Sequence, residues 1–110
     1  MKKVIFLVLL VISGSSVSRE LDNIAITKLM FDNIYGNKLY IETTEGWAEV
    51  GCHKSSWSFV LDIPANSELH RNMYSMLLAA KASGATLKLV GKATCDDHNF
   101  IESLRRVELK

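Results

Sequence analysis

Cys52 and His53 stand side by side in a chain of 110 residues that has only two cysteines. The second, Cys95, opens the run Cys95-Asp96-Asp97-His98. Three chemistries use such residues: a thiolate nucleophile with an imidazole base, a zinc site, or a disulfide. Structural zinc takes ligands in pairs separated by about two to four residues, so that both reach one ion. Cys52 and His53 are adjacent, and on extended backbone they point to opposite sides. Asp96-Asp97 offers two carboxylates, yet general acid–base catalysis needs groups on opposite sides of a reacting atom. Neighbours in a loop rarely provide that. Both aspartates read as solvated loop charge, and His53 as an exposed loop residue.

The N-terminus weighs on the cysteine question. Met1-Lys2-Lys3 is a basic head, residues 4–12 are an unbroken apolar run, and residues 13–18 are small or polar apart from Val17. That is the pattern of a secretory signal peptide over residues 1–18, cut after Ser18. A membrane-spanning helix needs roughly 20 apolar residues, so no span is expected after cleavage. The expected destination is the periplasm or the exterior. In an oxidising compartment an even pair of cysteines normally closes into a disulfide. Export therefore favours a Cys52–Cys95 bridge over zinc or a nucleophile. Closing a loop of about 44 residues is worth ~4 kcal/mol in the loop-entropy account.

Residues 19–110 then make one small domain. Without Lys2 and Lys3, 11 basic residues face 12 acidic ones. A formal charge of −1 gives no bulk attraction to nucleic acid or anionic membrane. The local cluster Arg105, Arg106 and Lys110 reads as a solvated strand end. No glycine-rich phosphate loop, His-Glu-x-x-His helix or Gly-x-Ser-x-Gly turn is present. The expectation is a protein that is not an enzyme and holds no cofactor or metal.

The elements that would position a binding surface follow from periodicity. Residues 24–35 read as one long strand whose apolar parity changes, which a bulge near Thr27-Lys28 would reconcile. Gly36-Asn37 turns the chain into a second strand, 38–44, with Leu39, Ile41 and Thr43 on one face. Glu45-Gly46 turns again into a short stretch, 47–50. Residues 57–63 are nearly continuous apolar, a strand covered on both sides, with Trp57 in the core and Pro64 as its stop. One helix follows, capped by Asn66 or Ser67, with Glu68 at its positive end and Gly84 as its terminator. Leu69, Met73, Leu77 and Ala80 recur at helical spacing, with Met76 beside them, while Arg71, Tyr74, Ser75 and Lys81 form the polar side. Residues 86–92 and 101–109 are the last two strands, the latter out of phase at Leu104. A mainly β chain with one helix between strands three and four is the layout of a small five-stranded OB-fold-like barrel.

Cys52, the run "WSFVLDI" (57–63), "MYSMLLAAKASG" (73–84), "LKLV" (87–90) and Cys95 together resemble the B subunit of subtilase cytotoxin and its small exported relatives. The resemblance covers residues 52–109. It implies an oligosaccharide-binding-type barrel, a Cys52–Cys95 disulfide, and a homo-oligomer in the form of a ring of five subunits. In the toxin that ring binds sialylated glycans and carries a separate catalytic subunit.

Aromatic and short polar residues gather near turns and strand ends: Tyr35, Asn37, Tyr40, Glu45, Trp47, Ser55 and Ser56. Aromatic faces suit the apolar faces of sugar rings, and the polar groups suit hydroxyl edges. The expected function is non-enzymatic recognition of a carbohydrate. The alternative is a periplasmic protein that binds or inhibits another protein and has no sugar site.

Overall fold

The structure, a computed structural model, describes residues 20–45, 51–64 and 67–109. The signal segment 1–18, Trp47 and the expected short strand 47–50 lie outside the described residues. The elements run β1 (Glu20–Ile24), β2 (Ile26–Asp32), β3 (Lys38–Thr43), β4 (Phe59–Asp62), α1 (Glu68–Ser83), β5 (Leu87–Gly91) and β6 (Leu104–Leu109). They form two three-stranded antiparallel sheets, ordered β1-β5-β6 and β2-β3-β4.

A single five-stranded barrel is therefore not what forms, and the helix falls between the fourth and fifth strands rather than the third and fourth. The cause lies in the first strand. It starts at Glu20, breaks at Ala25, and sends its first half to one sheet and its second to the other. Asn23 sits at φ 56 where the register with β5 shifts, so the chain turns there. A second shift falls between Ile26 and Lys28, the site of the expected bulge at Thr27. Bulges bend a strand and strengthen its twist. On the far side the sheets meet again: the Val60 N–H bonds the Glu102 carbonyl at 3.0 Å, and Val60 and Ser103 form a parallel bridge.

The Leu104 phase problem has the same kind of answer. Val90 pairs with Arg106 and Gly91 with Leu104, leaving Arg105 as an extra residue in β6. That single insertion lets both Leu104 and Val107 face inward.

Helix α1 ends as its sequence predicts. Ser67 is the N-cap, its hydroxyl accepting from the His70 N–H at 3.2 Å, and Gly84 closes the helix at φ 73. Only glycine takes that left-handed conformation without a Cβ penalty. Met73, Leu77 and Ala80 are buried, but Leu69 is 64% exposed. The first turn instead docks through His70, whose Nδ1 lies 2.5 Å from the Asp62 carbonyl. Tyr74 also leaves the polar side assigned to it. Its ring meets Phe31 edge-on at 5.4 Å and packs on the core.

The main core lies under α1, where Leu39, Ile41, Phe59 and Leu61 meet Leu77, Leu87, Leu89 and Leu104. A second, smaller cluster occupies the opposite face of β3 and β4. There Tyr40, Val60 and Ile101 are buried, with Met30 and Trp57 packed against them. Among the described residues, no helix is long and apolar enough to cross a membrane.

Candidate functional site

The outer cluster would be an exposed sheet face without the loops that cover it. Two loops do so, residues 51–58 and 92–103, and Cys52 and Cys95 join them in a disulfide with a Cα–Cα distance of 6.1 Å. Neither cysteine is left as a nucleophile or a zinc ligand.

His53 completes the join, and the structure corrects its sequence assignment. It is buried, 3% exposed, rather than a free loop residue. Its Nδ1 accepts from the Glu102 N–H at 3.0 Å, so its Nε2 carries the proton and donates to the Ser55 carbonyl at 2.9 Å. Next to it the Lys54 N–H bonds the Phe100 carbonyl at 2.8 Å. Adjacency to Cys52 is thus structural: the cysteine anchors one loop to the other and the histidine fills the gap between them.

Glu102 fixes the other end of the second loop. Its side chain is fully buried and its Oε2 accepts from the Ala93 N–H at 3.0 Å, holding Ala93 at φ 66. A non-glycine residue rarely sits there without such support. The same carboxylate lies where a Cβ on Gly91 would be, with the Phe59 ring 2.8 Å from that point. Gly91 is the residue that allows Glu102 in.

Held this way, the tip of the second loop stands against the turn after β2. Between them is a cleft of about 190 Å³ lined by Tyr35, Asp97, His98, Asn99 and Phe100. Tyr35 is 67% exposed and Phe100 54%. His98 is the hub: its ring meets Tyr35 at 5.4 Å, Tyr40 at 5.9 Å and Phe100 at 6.3 Å, all edge-on. Its Nδ1 accepts from the Phe100 N–H at 3.2 Å. Asp97 is half-buried; its N–H bonds the Ser103 hydroxyl at 3.0 Å, while its Oδ2 is shielded from water and has no hydrogen-bond partner among the described residues. Asp96 is exposed and accepts from the Thr94 hydroxyl at 2.8 Å. The volume falls below the roughly 300–1,000 Å³ of sites for drug-sized ligands, so the cleft suits a single ring-sized group.

Of the described residues expected to form the binding surface, only Tyr35 lines this cleft; Asp97 and His98, weighed in the sequence for acid–base and zinc chemistry, line it too. Tyr40 lies behind it, buried in the outer cluster and touching His98 and Trp57. Burial, reinforced by the Asp32 carboxylate and opposed by Lys38, pushes its phenol above the ordinary value of 10.0. Asn37 is exposed at the turn into β3, where its carbonyl accepts from Ile63. Glu45 is exposed at the end of its described segment, and its N–H bonds the Thr43 hydroxyl. The Ser55 hydroxyl accepts from the Trp57 N–H at 3.1 Å, and Ser56 is exposed. Trp57 is half-buried rather than core, with the Lys28 ammonium 5.4 Å above its ring.

Asp97, His98, Asn99 and Phe100 were missed as a group. Each is ordinary in a polar loop, and only the disulfide brings that loop beside Tyr35. An aromatic flanking a Cys-Asp-Asp-His-Asn run was the signal present in the sequence. No protein-family model matches the chain, and no curated protein matches it.

Proposed function

We propose that the mature chain is an exported, non-enzymatic domain that recognises carbohydrate through the Tyr35–Phe100 cleft. The observation that carries this is the lining itself. Exposed aromatic rings surround a ring-sized space beside a carboxylate and a carboxamide, which matches the apolar face and hydroxyl edge of a sugar. The bent first strand feeding two sheets, and the Val60–Ser103 contact between them, support treating the pair of sheets as an opened OB-type barrel. The disulfide supports export, since such bonds persist in oxidising compartments.

The proposal extends to a homo-oligomer, as the toxin B-subunit resemblance implies, with a ring of five and a separate catalytic chain as its fullest form. The edge position of β2 in its sheet leaves backbone groups for pairing. Repeated weak sites on such an assembly would gain avidity.

A glycan array probed with the mature protein tests the central part. Retention of defined glycans, lost in Tyr35→Ala with unchanged melting, is the expected result. An array without retained glycans would return the chain to the protein-binding alternative. Light scattering tests assembly separately, and a monomer at micromolar concentration removes the ring.

A further inference from the structure

We propose that the cleft selects a sugar bearing a protonated amine over its neutral or anionic counterparts; this rests on the carbohydrate reading above. The lining holds Tyr35, Asp97, His98, Asn99 and Phe100, with no lysine or arginine among them. The His98 Nδ1 is occupied, accepting from the Phe100 N–H. The carboxylates at the loop tip are those of Asp96 and Asp97.

Two physical effects then act in the same direction. Aromatic faces are electron-rich and attract cations, and a group of rings around a small space is the arrangement that binds ammonium groups. The Asp97 side chain belongs to the cleft lining, and a carboxylate can only accept hydrogen bonds. An ammonium donates up to three hydrogen bonds and cancels the charge. A sugar hydroxyl supplies the bond without the cancellation. A ligand carboxylate supplies neither and is repelled, so sialylated glycans are disfavoured despite the toxin resemblance.

Calorimetric titration of the mature protein with three probes tests this: a glucosamine trimer, an N-acetylglucosamine trimer and a sialylated lactose, at low salt and with the amine protonated. The glucosamine trimer should bind at least about tenfold more tightly than the acetylated one, as one charge-assisted bond would give. Asp97→Asn should abolish that preference, so that the two trimers bind with similar affinity. The variant retains the backbone bond to Ser103, and a thermal melt checks that it folds. Tyr35→Ala, at an exposed position, should weaken both trimers alike. Equal binding of the two trimers, or preference for the sialylated probe, overturns the amine selectivity and leaves carbohydrate recognition standing. Failure of all three probes to bind overturns both.

Discussion

The two faces of β3 and β4 are built in different ways. The inner face carries Leu39, Ile41, Phe59 and Leu61 against one amphipathic helix and the facing sheet. The outer face carries Tyr40 and Val60, covered by Ile101 and Trp57 from loops that a disulfide and His53 hold in place. The inner face is a periodic core, stable because regular elements bury regular stripes. The outer face is a covalently fastened cover, and the cleft stands at its rim. If the proposed function holds, stability and recognition are separable: damage to one face would act on folding and damage to the other on the cleft.

The largest expected effect comes from the inner face. Phe59→Ala removes a fully buried ring where β4 meets the rest of the core and should cost about 3–5 kcal/mol. Chemical denaturation measures this. A loss below about 1 kcal/mol would mean that the inner face is not the main source of stability.

The outer cover should respond to the disulfide. Cys95→Ser is expected to cost about 2–4 kcal/mol, with the damage confined to one side. Hydrogen exchange should show lost protection at Lys54, Ile101 and Glu102 while α1 remains protected. Equal loss in α1 would merge the two faces into one cooperative unit and end the distinction.

That division also explains what could be read in the sequence. The helix with its Ser67 and Gly84 caps, the bulge at Thr27 and the buried stripe Leu39, Ile41 and Thr43 were legible because each follows from local spacing. The cysteine pairing followed from compartment and parity. Burial of His53 and Tyr40 was not legible, because much of what covers them comes from the loops 51–58 and 92–103, of which local periodicity carries no trace. Leu104 and Val107 looked contradictory because a bulge moves parity within a strand. The cleft needs two distant loops at once, so Tyr35 alone was read as a binding residue, while Asp97 and His98 were weighed for other chemistry.

The smallest effect sharpens the same contrast. Tyr40 has a folded-state pKa raised by burial, so protonation is favoured more in the folded chain than in the unfolded one. Its contribution is fully present below about pH 10 and is lost as pH rises through the folded value. Absorbance titration should show a late tyrosine ionisation that Tyr40→Phe removes, along with part of the alkaline loss of stability. Loss of an ordinary rather than a late ionisation in Tyr40→Phe would mean that the outer cover does not shield the phenol.

Amide chemical-shift mapping by NMR on the isotopically labelled mature protein, titrated with the glucosamine trimer, tests most directly whether the fastened face is the recognition face. Saturable shifts should concentrate at Tyr35, Asp97, His98, Asn99 and Phe100, leaving Met73, Leu77 and Ala80 of α1 unmoved. Shifts centred on α1 or on the edge strand β2 would contradict that assignment, as would no saturable shift at all.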